Sequence, residues 1–371
     1  MKNQINSLYI HIPFCKNICD YCDFTKLQYF RNFAISYLEA LKKEFNFYKI
    51  GQTFETIYVG GGTPTALDND LLEDLLVMIQ PFINKNNCEY SFECNVETLT
   101  KDKLILLKKY GVNRLSFGVE STDNRILKSI HRQHTFEDVI NAYNIAKEVG
   151  FNNISADLIL GLPNVSEKML LNDISNLVNI GFNHISCYSL TVHEHTVFYS
   201  KHIQEPTEDF ARNCYDLIND YLLKNGYDHY EISSWAKNNT YSKHNLCYWK
   251  NSHYYGLGLG ASGYISDLRY SNTKNFQKYL KGEFVDYREK VTIKDNEEYF
   301  ILLNLRTKFG INLDEYKKLF NANFLYKYKD IINKYIDNKF IIYNKEEGRL
   351  FPSYEGMMVL DQIIVDLFKN I

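Results

Sequence analysis

Between residues 7 and 226 short β-rich runs alternate with amphipathic helical ones, and this alternation constrains the fold more than any other feature of the chain. Six runs, SLYIHI (7–12), TIYVGG (56–61), EYSFEC (89–94), RLSFGV (114–119), ISADLILG (154–161) and HISCYSL (184–190), are apolar with β-branched or aromatic residues, as strands covered on both faces are. The clearest helix between them is TFEDVINAYNIAKEVG (135–150), with Phe136, Val139, Ile140, Tyr143 and Ala146 on one face. Thr135 and Asp138 form a capping pair at its start and Gly150 ends it. Repeated β-then-α units predict a parallel sheet with right-handed crossovers. The even rhythm favours an incomplete (β/α)6 barrel over a doubly wound sheet. In either, functional groups collect at the C-terminal ends of the strands. That is where Cys15, Gly60 to Thr63, Glu93 and Glu120 fall, with Asp157 inside the fifth run.

After about residue 280 the pattern changes to charged helices, 296–310 and 313–324, then a hairpin at 339–353 and a final helix. The expected division is therefore a core over 1–235, a connecting segment over 236–285, and a small helical, winged-helix-like domain over 286–371. The connecting segment carries HNLCYW (244–249) and the glycine-rich GLGLGASG (256–263). With 371 residues, 45% of them hydrophobic, the chain has material for a large core. A net charge of −3 argues against nucleic acid as a partner. MKNQINSLYIHIPFC lacks the apolar run of a signal peptide, and no stretch reaches the roughly 18 apolar residues of a membrane span. These features predict a cytoplasmic protein with reduced thiols, and they are compatible with peripheral contact at a membrane surface.

Three of the eight cysteines lie together in CKNICDYC, as Cys15, Cys19 and Cys22. Three thiolates from one loop can hold three corners of a [4Fe–4S] cube and leave one iron without a protein ligand. The alternatives are a zinc site completed by a distant Cys or His, and plain buried thiols. CxxxCxxC is an uncommon zinc spacing, since zinc favours CxxC pairs. Cys88, Cys94, Cys187, Cys214 and Cys247 are expected to play no part in the cluster. The second motif, GGGTPT (60–65), directly follows a strand, where glycines let backbone approach a ligand closely.

Taken together, the cysteine loop after strand one and the glycine turn after strand two resemble the radical S-adenosylmethionine superfamily. YIHIPFCKNICDYCDF, GVNRLSFGVES, DLILGLP, YEIS and HNLCYW narrow the resemblance to the oxygen-independent coproporphyrinogen oxidase group and its heme-chaperone branch. The resemblance implies a [4Fe–4S] cluster on Cys15, Cys19 and Cys22, with S-adenosylmethionine on the open iron. It also implies that Tyr9, Gly61, Gly62, Thr63, Glu93, Arg132 and Asp157 surround that cosubstrate. Glu120 stands where the family usually has Gln, and Val96 where it usually has Pro.

Two activities follow from the resemblance. One is radical decarboxylation of coproporphyrinogen III. The other is binding heme and delivering it to hemoproteins, on a scaffold without that dehydrogenase activity. The decarboxylating enzymes carry a further cysteine where Phe24 stands here, and a long N-terminal extension where only 14 residues precede Cys15. HNLCYW matches a motif of the chaperone branch. All three favour the chaperone. His244 of that motif is then a candidate heme ligand, since neutral imidazole ligates heme iron. The competing reading is that His244 and Asn245 only order the loop. His193 and His195, in TVHEHT, read as a polar loop.

Overall fold

The computed structural model describes residues 5–369; the first four and last two residues of the two outer expected units lie outside it. Six parallel strands form its centre: β1 (Ser7–Ile12), β2 (Thr56–Gly61), β3 (Glu89–Asn95), β4 (Arg114–Glu120), β5 (Asn153–Leu160) and β6 (His184–Ser189). Their bounds lie within two residues of those read from the sequence. They pair in chain order, and β1 and β6 do not meet, so the barrel is open. Helices α1 (Arg31–Phe47), α2 (Asn69–Ile79), α3 (Lys101–Lys109), α4 (Phe136–Val149), α5 (Glu167–Ile180) and α6 (Glu208–Lys224) alternate with them. In α4 the capping box of Thr135 and Asp138 is present, and Gly150 closes the helix in the left-handed region at φ 99°.

Each strand carries two different faces, because successive side chains point to opposite sides. On β4, Leu115, Phe117 and Val119 belong to the hydrophobic core, packed with residues such as Leu104, Leu107 and Ala146 of the helices. Arg114, Ser116, Gly118 and Glu120 face the interior of the barrel. The same alternation sets Phe92 against Glu93 on β3 and Leu158 against Asp157 on β5. One face therefore builds the core while the other presents chemistry.

Residues 236–285 do more than connect. After β7 (Asp228–Glu231) and β8 (Ser234–Ala236) the chain enters α7 (Lys243–Trp249), then β9 (Tyr254–Leu257), β10 (Ser262–Ile265), β11 (Leu268–Asn272) and β12 (Val285–Lys290). β9 pairs in parallel with β1, and β10 to β12 extend that edge antiparallel, giving the order β12-β11-β10-β9-β1-β2-β3-β4-β5-β6-β8-β7. The expected boundaries at 235 and 285 thus fall inside one twelve-stranded sheet. The reason is edge satisfaction: the free backbone groups of β1 need a partner, and residues 254–257 supply it.

A second hydrophobic core, with Phe300, Ile301, Tyr316, Tyr328, Ile332 and Leu360, fills the C-terminal region. The expected hairpin is β14 (Ile341–Asn344) and β15 (Arg349–Pro352), and β13 (Ile311–Asn312) adds a third strand to it. Among the described residues no helix is long and apolar enough to cross a membrane.

Candidate functional site

A cavity of about 480 Å³ opens at the C-terminal ends of the six parallel strands. Cys15, Cys19, Cys22, Gly61, Gly62, Thr63, Glu93, Glu120, Arg132 and Asp157 all line it. Tyr9 and His244, two further residues singled out from the sequence, do not.

The cysteine loop follows β1 and is anchored at each end. Cys15 sits at the base, where its carbonyl accepts the Tyr29 N–H at 2.8 Å and its Sγ receives the Thr63 hydroxyl at 3.7 Å. Burial pushes the Cys15 thiol up to about 12. Cys22 N–H returns to the Cys19 carbonyl at 3.3 Å, and Arg132 Nη1 lies 3.6 Å from Cys19 Sγ. Asp20, inside the loop and 3% exposed, is held by Lys201 Nζ at 2.8 Å and His131 Nδ1 at 2.5 Å. Nothing in the local sequence marks Asp20 as an anchor, because its partners lie far along the chain.

Among the described residues, no three Cys, His, Asp or Glu side chains converge so as to hold a single metal ion. Cys15, Cys19 and Cys22 all border the same cavity. A zinc ion needs its ligands on one tetrahedron about 2.0–2.3 Å from the metal. A [4Fe–4S] cube takes one thiolate at each of several separate irons. Three thiols on one loop fit the cluster, with one thiolate at each of three irons.

The glycine turn after β2 packs tightly against the cysteine loop and Glu93. A Cβ on Gly62 would stand 2.8 Å from Cys15 Sγ and 2.9 Å from the Pro13 carbonyl. Gly61 adopts φ 120°, where its N–H donates to Glu93 Oε2 at 2.8 Å. Glu93 also accepts from the Tyr58 hydroxyl at 2.9 Å. Burial pushes the Glu93 carboxyl up to about 7, with Gly61, Tyr58 and Arg114 drawing it down and Asp157 adding to the rise.

The buried charges form two groups, Arg132 with Glu97 and Glu120, and Arg114 with Glu93 and Asp157. Arg132 donates to the Gly118 carbonyl and lies 3.8 Å from Glu97. Burial works against ionisation of Glu97, but His134 and Arg132 prevail and hold it down at about 2. The cation that acts on Glu93 and Asp157 is Arg114, 2% exposed at the start of β4. Burial raises Asp157, while Arg114 and the Ser116 hydroxyl at 3.0 Å draw it back. The Nε atoms of Arg114 and Arg132 are both buried without a partner, so each keeps donor capacity beside the cavity. Arg114 was hidden in the sequence because it opens an otherwise apolar strand.

Glu120 sits at a register shift between β4 and β5, in the left-handed region at φ 67°. Burial pushes it up to about 7 against the pull of Arg132.

Tyr9 lies behind this surface. Its hydroxyl bonds His11 Nδ1 at 2.9 Å and its ring stacks on Tyr58 at 6.1 Å, so Tyr58 is the aromatic that lines the cavity. His244 departs further from expectation. It is fully buried in α7, with Nδ1 bonded to the Thr56 hydroxyl at 2.9 Å and Nε2 to the Tyr248 hydroxyl at 2.8 Å. Its backbone N–H donates to Glu89 Oε1 at 3.1 Å, and burial lowers its pKa to about 3. With both ring nitrogens engaged inside the protein, His244 ties α7 to β2 in this structure.

Comparison with known proteins agrees with this geometry. Residues 9–177 match the family model of the radical SAM superfamily. The chain is 36% identical to heme chaperone HemW of Lactococcus lactis, covering 94% of this chain and 93% of that protein. It is 34% identical to HemW of Bacillus subtilis, covering 97% and 98%. Among solved structures it is similar to coproporphyrinogen III oxidase (HemN) from Escherichia coli, with a TM-score of 0.85 at 19% identity over 100% of this chain and 91% of that one. At that identity the likeness is one of fold.

Proposed function

The chain belongs to the HemW family of heme chaperones within the radical SAM superfamily, and from that premise we propose that it takes up heme beside its cluster cavity and passes it to hemoproteins. The observation that carries the reading is the near end-to-end match to relatives named as heme chaperones. The cavity supports it with three thiols, a glycine turn and buried charges in one place.

In this proposal Cys15, Cys19 and Cys22 hold a [4Fe–4S] cluster. Gly61, Gly62, Thr63, Glu93, Glu120, Arg132 and Asp157 surround S-adenosylmethionine, with Arg114 neutralising the carboxylates behind it and Tyr9 backing Tyr58. Fixed partners suit a zwitterionic ligand removed from water, because its charges lose solvation on entry. When bound, cluster and cosubstrate supply one-electron chemistry at the sulfonium. The protein's own contribution is to bind, orient and exclude water. The recipients in this proposal are cytoplasmic hemoproteins.

Decarboxylation of coproporphyrinogen III is the second reading, favoured by the fold alone. Anaerobic reconstitution followed by separate titrations with heme and coproporphyrinogen III decides between them. Heme uptake without decarboxylation is expected; porphyrinogen turnover would overturn the chaperone reading.

A further inference from the structure

A heme carrier needs an iron ligand, and the histidines can be accounted for one by one. The chain has ten. In His11, His134, His184 and His244 both ring nitrogens are engaged inside the protein. His229 and His253 stack on Trp235 and Tyr264, each with one nitrogen engaged. The other four, His131, His193, His195 and His202, are exposed, and His131 is tied to Asp20. His193 alone of the ten lines the cavity that holds the three thiols.

Its surroundings suit an amphipathic, planar ligand. The loop after β6 is pinned where the Thr196 hydroxyl and N–H return to the His193 carbonyl at 2.7 and 3.3 Å. Phe24, 65% exposed, and Tyr188, 45% exposed, line the same cavity with Leu190. Large exposed apolar groups at a cavity mouth are a signature of binding surfaces. Lys26 also lines it, its ammonium resting on the carbonyls of Cys22 and Phe24. His193 Nε2 lies 3.4 Å from the Asp23 carboxylate. A carboxylate on one ring nitrogen fixes the tautomer and leaves the other for a metal.

We propose that His193 is the axial ligand of heme iron at the mouth of the cavity, with Phe24 and Tyr188 against the porphyrin face and Lys26 against a propionate. This rests on the heme-chaperone reading and adds to it the place and the ligand. A half-exposed imidazole held only by its loop and one carboxylate releases heme more readily than a buried one, as a carrier must.

The test uses full-length, cluster-reconstituted protein titrated anaerobically with heme and, separately, with metal-free protoporphyrin. His193→Ala is expected to shift the Soret band and weaken heme binding by tenfold or more, with iron–sulfide content and protoporphyrin affinity unchanged. In His193→Gly, added imidazole restores the wild-type Soret position. An unaltered Soret band and heme affinity in His193→Ala would overturn the assignment. So would equal losses for heme and protoporphyrin, since only a ligand role distinguishes them. If the wild-type protein takes up no heme, the chaperone reading itself falls.

Discussion

Arg132 Nη1 lies 3.6 Å from Cys19 Sγ, while the same side chain is 3.8 Å from Glu97, so one buried guanidinium joins the cysteine loop to the carboxylate network of the barrel. A fixed cation beside a cluster sulfur stabilises the more negative, reduced state of the cluster. Arg132→Met is therefore expected to shift the reduction midpoint of the reconstituted protein to more negative potential by about 30–60 mV, a three- to tenfold change in a one-electron equilibrium. An EPR-monitored redox titration measures it.

Gly62→Ala probes the closeness of the turn to the cysteine loop. The new Cβ meets Cys15 Sγ at 2.8 Å and backbone of Pro13 at 2.9 Å, and backbone cannot step aside as a flexible side chain can. Overpacking of this kind costs about 1–3 kcal/mol. Less iron and sulfide per chain than wild type is expected by chemical analysis, with the circular dichroism of the barrel retained.

Cosubstrate binding should depend on pH in a set direction. Glu93 and Glu120, both pushed up to about 7 by burial, are protonated below that pH in the ligand-free protein. A cationic ligand group favours their ionised forms, so binding releases protons and affinity rises with pH up to about 7, by about tenfold per unit for each proton released. Calorimetry of S-adenosylmethionine binding in two buffers of different ionisation enthalpy counts the protons. Arg114→Met removes the cation that draws Glu93 and Asp157 down, and should move the dependence to higher pH.

Asp20→Ala tests the anchor of the cysteine loop. Lys201 and His131 are about half exposed and regain water when the carboxylate is lost, so the cost is about 1 kcal/mol, well below that of breaking a buried pair. The loop loses both ties. Faster loss of cluster iron to a chelator is expected, with unchanged iron content at the outset.

Much of the fold was legible because its signals are local. Strand bounds followed from apolar runs, and α4 from a capping box and a terminal glycine, each written within a few adjacent residues. The sheet edge was not legible, because no property of Tyr254 to Leu257 announces that its partner is β1 at the far end of the chain. The same limit applied to polar residues inside strands. Arg114 reads as the start of a strand, and only the barrel's curvature sets it beside Glu93 and Asp157.

The sequence by itself determined the alternating β/α architecture, the cysteine spacing and the glycine turn, because each depends on backbone geometry and contacts between near neighbours. The tertiary structure decided which charges face one another and which imidazoles are enclosed or exposed. His244 and His193 carry the same side chain. One is closed between Thr56 and Tyr248, while the other stands at the cavity mouth beside Asp23. That difference comes from residues remote in sequence, whose proximity exists only once the sheet has paired and the core has closed.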